Sequence, residues 1–208
     1  FGLGKSFNTD IPFEQRGNIP TESYYDNIYS KGHWRALTVR SLGIGQGEIL
    51  LTPLQLANLT AVIANRGYYY KPHILKSIGN SSNPIAEYVE RQYSTVDPEH
   101  FDFIRDAMLD VFEGESGTAR WYRIDSLLIC GKSGTVENPH GDDHSMFIAF
   151  APYNDPKIAL SVIVENSGYG STWAAPIATL MIEKYLLGKT GKPYLEERMI
   201  NGNLITKE

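Results

Sequence analysis

Three apolar runs constrain this chain more than any other feature in it. Residues 127–136, 145–152 and 157–164 are rich in large apolar and β-branched side chains and have the length of buried strands. Asn154-Asp155-Pro156 joins the second run to the third too tightly for a crossover, so these two form an antiparallel hairpin. With the first run they make a three-stranded meander.

The first run changes character along its length. Leu127-Leu128-Ile129-Cys130-Gly131 suits a buried strand, but Lys132-Ser133-Gly134-Thr135 does not. A cation and two hydroxyls are costly to bury and add nothing to a core. Period-two alternation puts Ser133 and Thr135 on one face, so both hydroxyls point the same way. Gly134 lets another backbone lie flush against the strand. A carboxylate laid there could accept hydrogen bonds from both hydroxyls while Lys132 raises the local potential. Strict alternation places Lys132 on the opposite face, so it reaches that cleft only through edge twist or a position on the rim. The plainer reading, a strand end with a solvated lysine, stays open on these residues alone.

Helices flank the meander. Thr52 is an N-cap with Pro53 at the first helical position and Gln55 completing a capping box, and Gly67 closes that helix. Its apolar residues fall almost all round, which predicts an interior helix. Asp97-Pro98 opens a second helix whose stripe is Phe101, Ile104, Met108, Val111 and Phe112, ended by Gly114. A third covers about 174–187, with Pro176 in its first turn and Gly188 beyond its end. Residues 68–78 form a short extended pair that Pro72 limits to an edge, and 80–84 form a turn. Residues 1–48 read as irregular chain over the core, anchored by Trp34 and Leu37, and 189–208 as a polar tail. The fold class is therefore mixed α+β, an antiparallel sheet flanked by helices.

At 208 residues, 42% hydrophobic and 21% charged, the chain has the size and composition of one soluble globular domain. A net charge of −5 gives no reason to expect nucleic acid as a partner. The single cysteine, Cys130, excludes an internal disulfide and reads as a small core residue. Cys130, His140, Asp142, Asp143 and His144 have zinc-binding residue types, but 140–143 read as a solvated strand connection, and no metal or other cofactor is expected. Gly43-Ile44-Gly45-Gln46-Gly47 lacks the Lys-Ser/Thr of a phosphate loop. Ser6-Phe7-Asn8 fits Ser-x-Asn only as a three-letter string in a polar turn.

Several strings, in order, resemble the transpeptidase domain of class B penicillin-binding proteins. They are Phe1-Gly2-Leu3-Gly4, Gly17-Asn18-Ile19-Pro20, and Gly43-Ile44-Gly45-Gln46-Gly47 with the helix from Thr52 to Ala57. Gly131-Lys132-Ser133-Gly134-Thr135, the run His144 to Pro152, and Ala174-Ala175-Pro176 complete the set, covering residues 1 to about 187. The early strings look most like the elongation type. The resemblance implies a fold like penicillin-binding transpeptidases and serine β-lactamases, incomplete on its N-terminal side, with residues 1–188 as the C-terminal part of the domain.

The resemblance also implies a reaction. A serine attacks the D-Ala-D-Ala end of a peptidoglycan stem peptide and passes the acyl group to an amine of a neighbouring stem, and β-lactams acylate the same serine. Ser133, Gly134 and Thr135 would hold the donor's terminal carboxylate, the Thr135 N–H would be an oxyanion donor, and Lys132 would join the proton and charge network. The implied setting is the periplasmic face of the bacterial inner membrane, with an anchoring helix outside this chain and elongation-complex proteins as partners.

One departure matters. No serine in the chain is followed three positions later by lysine. In the family, the Ser-x-x-Lys and Ser-x-Asn motifs precede the segment matching Phe1-Gly2-Leu3-Gly4, so the nucleophile is expected outside this chain and the chain alone is expected to be inert. Alternatives that share the Lys-Ser/Thr-Gly strand are a serine β-lactamase or D,D-carboxypeptidase, and a β-lactam sensor or non-catalytic peptidoglycan-binding module.

Overall fold

The computed structural model describes residues 1–79 and 85–204, so the turn expected at 80–84 lies outside the described residues. In chain order the elements are α1 (Glu22–Tyr29), a 3-10 turn (Arg40–Ile44), α2 (Pro53–Ala64), β1 (Tyr68–Tyr70), α3 (Ala86–Val89) and β2 (Arg91–Tyr93). Then follow α4 (Glu99–Glu113), a 3-10 turn (Arg120–Tyr122), β3 (Cys130–Val136), β4 (His144–Ala151), β5 (Ile158–Val164), α5 (Ala174–Leu187) and α6 (Pro193–Ile200). β3, β4 and β5 form an antiparallel meander in that order, and β1 pairs with β2 apart from it.

The meander separates two apolar layers because successive side chains alternate across it. Phe147, Ala149, Leu160 and Val162 pack with Phe112 of α4 and with Ala175, Ala178 and Ile182 of α5. Cys130 and Phe150 face the other way, onto Ala64 of α2 and Met108 of α4. α4 runs beside β3 and feeds both layers. Among the described residues β3 has a strand neighbour, β4, on one side only.

The capping box of α2 forms as expected: the Gln55 N–H donates to Thr52 Oγ1 and the Thr52 N–H to Gln55 Oε1. The other half of the Gln55 amide does long-range work. At 1% exposure, its Nε2 donates to the carbonyls of Lys5 and Arg16, both at 2.9 Å. Asn58 Nδ2 donates to the Phe1 carbonyl in the same way. α2 is thus less interior than its composition suggests. It buries Gln55, Leu56, Asn58, Thr60, Val62 and Ala64, while Ala57, Leu59, Ala61 and Ile63 stay half-buried. Gln55→Ala strips the donor from two carbonyls, and a drop of about 2–4 kcal/mol in unfolding free energy is expected by chemical denaturation.

Four further departures from the sequence reading have identifiable causes. The first 48 residues are not wholly irregular, because Thr21 Oγ1 accepts the Tyr24 N–H and starts α1, which buries Tyr25 against Trp34. Trp34 does anchor this region through Tyr25 and Asp26, but Leu37 is 72% exposed and anchors nothing. α4 starts at Glu99 without a side-chain cap, so Asp97 does not cap it. Its buried stripe is Phe101, Arg105, Met108 and Phe112, with Ile104 turned out. Arg105, at 0% exposure, lies over the rings of Phe150 and Tyr153 and donates to the Tyr153 carbonyl, a placement its charge conceals in sequence. Burial, the largest influence, holds the Arg105 guanidinium below its ordinary pKa.

The stretch after residue 188, expected as a polar tail, carries α6. Pro193 opens it and Leu195, 2% exposed, pins it to the body. One buried leucine among polar residues is too little periodicity to stand out in sequence.

Candidate functional site on the open edge of β3

β3 begins in the core and ends at the surface. Cys130 and Gly131 are buried, Lys132 is exposed, and Ser133 to Val136 are half-buried. A methyl on Gly131 would stand 2.6 Å from the Phe147 ring and 2.9 Å from Phe112, so glycine is what lets β3 pass between the layers. The cross-strand pairs Ser133↔Phe147 and Thr135↔Ser145 put both hydroxyls on the α5 face, and Lys132↔Ile148 puts the lysine on the other.

Backbone direction along β3 follows from the hairpin. Lys157 donates its N–H to the Ala151 carbonyl at 2.8 Å, so the backbone groups of Ala151, Ala149, Phe147 and Ser145 point toward β5. Phe150, Ile148, Met146 and His144 therefore point toward β3, and the bonded rungs are Cys130, Lys132, Gly134 and Val136. Ser133 and Thr135 turn their N–H and C=O groups outward, to the open edge. Two side chains meet those carbonyls: Lys132 Nζ donates to Ser133 O at 2.5 Å and Gln46 Nε2 to Thr135 O at 3.1 Å. With both acceptors engaged, the edge presents two backbone N–H groups, two hydroxyls and an ammonium. Such an edge favours an anion.

Lys132 reaches this edge although its Cβ lies on the far face, because the strand end is at the rim. It lines a cleft of about 380 Å³ with Ser133, Asp110, Gly117 and Thr118. Thr118 and Ser133 share a hydroxyl–hydroxyl hydrogen bond of 3.1 Å. Beyond Thr135 lies a second groove of about 680 Å³, lined by Gln46, Ser41 and Leu50 and by Val136, Asn138 and Asp143. The Ser133–Thr135 edge thus lies between two clefts, one lined by Ser133 and the other by Val136.

The loop before α5 supports the edge from the α5 face. The Gly170 N–H points at Thr135 Oγ1, 3.5 Å away, and Ser145 Oγ donates to Tyr169 O while accepting the Ala174 N–H. Gln46, Thr118 and Gly170 do not stand out in the sequence as site residues. Gln46, lying between two glycines that follow no strand, carried the clearest signal.

Other candidate groups lie elsewhere. Cys130 is buried and burial pushes its thiol pKa up to about 12, which suits a core residue and neither a ligand nor a nucleophile. His144 Nδ1 accepts the Asn166 N–H, and Asn138 accepts the His140 N–H within its own loop. Among the described residues no group of three or more His, Cys, Asp or Glu side chains could hold a metal ion. Ser6 Oγ donates to Glu14, whose carboxylate also takes the N–H groups of Phe7 and Thr9, so Ser6-Phe7-Asn8 is part of a braced turn.

The chain has relatives among known proteins. The peptidoglycan D,D-transpeptidase MrdA of Haemophilus influenzae is 33% identical over 204 residues, 89% of this chain and 31% of that protein. MrdA of Acinetobacter baumannii is 32% identical across 99% of this chain and 33% of its own length. The chain thus spans about a third of these relatives. Among solved structures, Pseudomonas aeruginosa PBP2 in complex with WCK 5153 superposes with a TM-score of 0.80 at 35% identity, over 93% of this chain and 42% of that one. Helicobacter pylori PBP2 in complex with MreC gives 0.75 at 27% identity, over 90% and 34%. Residues 1–183 match the penicillin binding protein transpeptidase domain, and the chain belongs to that family.

Proposed function

We propose that this chain is the substrate-holding part of a peptidoglycan D,D-transpeptidase that cross-links stem peptides during cell-wall elongation. The observation that carries the proposal is the open edge of β3, where hydroxyls, N–H groups and an ammonium lie together and where, among the described residues, no carboxylate is bonded to any of them, although Asp110 lines the same cleft. The terminal carboxylate of a D-Ala-D-Ala stem would accept from Ser133 and Thr135, with Gly134 letting the peptide lie close. Its penultimate carbonyl would then lie near the Thr135 N–H.

The reaction needs a serine supplied by the longer protein. Its Oγ attacks the penultimate carbonyl, charge gathers on the carbonyl oxygen, and the Thr135 N–H donates to it. Collapse breaks the peptide C–N bond, and D-Ala leaves with a proton. An acceptor amine then attacks the ester, forms the cross-link and frees the serine. Lys132, at the rim, favours each negatively charged species along the way. β-Lactams enter by the same carboxylate site and stop at the ester.

The MrdA relatives support the elongation role, and the H. pylori complex supports partners of the MreC kind. No helix among the described residues is long and apolar enough to cross a membrane. We assign the parent protein to the periplasmic face of the inner membrane, anchored by a segment outside these residues.

Intact mass after treatment with a fluorescent penicillin tests the reading. The full-length parent is expected to gain one adduct per chain and residues 1–208 alone none. A covalent adduct on the isolated chain would contradict the assignment of the nucleophile, and an unlabelled parent would contradict the reaction.

A further inference from the structure

Gln46 is a half-buried side chain between exposed neighbours. Gly45 and Gly47 on either side have positive φ, 76° and 73°, and the Gln46 N–H donates to Ser41 O at 3.0 Å. The 3-10 turn at Arg40–Ile44 thus ends in a tight, glycine-built bend that presents one side chain. That side chain spans 89 residues of sequence to reach Thr135 O.

Thr135 is a group that needs holding. It follows Gly134, one of the two glycines in the strand, and it lies on an edge where, among the described residues, no other strand pairs with β3. The rungs at Gly134 and Val136 tie the chain before and after it but leave its own N–H and C=O outside the ladder. Among the described residues the one other hold on its polar groups is the Gly170 N–H at a long 3.5 Å from its hydroxyl. A hydrogen bond to the Thr135 carbonyl holds the Thr135–Val136 peptide plane and the Thr135 Cα, and so limits how far the residue, its N–H included, lifts out of line with the rungs on either side.

We propose that Gln46 is a positioning residue for the reaction: it holds the Thr135 edge so that the backbone N–H meets the developing oxyanion. The proposal rests on the transpeptidase reading and deepens it. A neutral amide suits the task, because it donates to a carbonyl without adding charge beside a carboxylate site. Glutamate would set an acceptor against an acceptor. An extended peptide on this edge would also direct an amide N–H at the Thr135 carbonyl. Were Gln46 only a plug on that acceptor, removing it would quicken acylation; positioning requires the reverse.

The test uses the full-length parent enzyme with Gln46→Ala and Gln46→Glu. Acylation by a fluorescent penicillin, followed over a range of concentrations, separates the binding constant from the acylation rate constant, and thermal unfolding reports the fold. For Gln46→Ala the acylation rate constant is expected to fall about 10–100-fold, with binding within about threefold of wild type and the melting temperature nearly unchanged. Gln46→Glu is expected to fall at least as far. Wild-type or faster acylation in Gln46→Ala overturns the inference, as does a loss that only tracks a falling melting temperature. If those results come from a wild-type enzyme that is itself acylated, the transpeptidase reading stands. A wild-type enzyme that is never acylated overturns both.

Discussion

Gly170→Ala is expected to all but silence the parent enzyme. A methyl there would stand 2.3 Å from Gly134 O, 2.4 Å from Met146 O and 3.0 Å from Gly134 N. All three atoms are backbone in the rung beside the proposed site, so no flexible side chain can move aside. Either the loop before α5 retreats or the β3–β4 ladder opens at Gly134. Overpacking of this kind costs about 1–3 kcal/mol of stability. The larger effect is on chemistry, because Thr135 follows the displaced rung and a shift near 1 Å costs about 100-fold in rate. Penicillin acylation and thermal unfolding measured together separate the two effects. Gly43→Ala is the control, since a methyl there meets nothing within 4 Å, and it is expected to match wild type in both.

Removing both hydroxyls, Ser133→Ala with Thr135→Val, is expected to cost the site its hold on a terminal carboxylate. Each hydroxyl-to-carboxylate bond is worth about 1.5–3 kcal/mol, so the pair accounts for a loss of 100-fold or more in acylation efficiency. The change removes little volume and leaves the β3 backbone, its rungs and Gln46 in place. The diagnostic measurement is preference: D-Ala release from peptides ending in a free carboxylate against the same peptides amidated. Wild type is expected to favour the free acid strongly, and the double variant to favour it little. A double variant that keeps the wild-type preference would mean that the carboxylate is held elsewhere.

How much of this was legible beforehand depended on the range of the signal. The meander, the capped start of α2 and the full span of α5 follow from local rules: alternation, Thr52-Pro53 with Gln55, and Gly188 at a helix end. The common face of Ser133 and Thr135 follows from the two-residue strand period alone. What stayed hidden depends on contacts between distant residues. Nothing near Gln46 reveals that it bonds Thr135, and nothing near Arg105 reveals rings to cover its charge. Gly170 read as one glycine in a loop, although the backbone of β3 and β4 leaves no room for any other residue there. Leu37 misled for the opposite reason: an apolar residue is an anchor only where a partner surface meets it, and none does.

Lys132 shows the limit of alternation as a rule. Its Cβ faces away from the hydroxyls, yet its long stem bends round the rim to Ser133 O. A rule about Cβ directions does not bind a side chain that long at a strand end.

The central claim is that the outer edge of β3 receives a peptide's terminal carboxylate. A crystal structure of the full-length parent acylated by a penicillin tests it most directly. The drug's carboxylate is expected within hydrogen-bond reach, about 3 Å, of the hydroxyls of Ser133 and Thr135, with the acyl oxygen on the Thr135 N–H. An adduct whose carboxylate lies on other residues, with those hydroxyls facing no ligand, would contradict it.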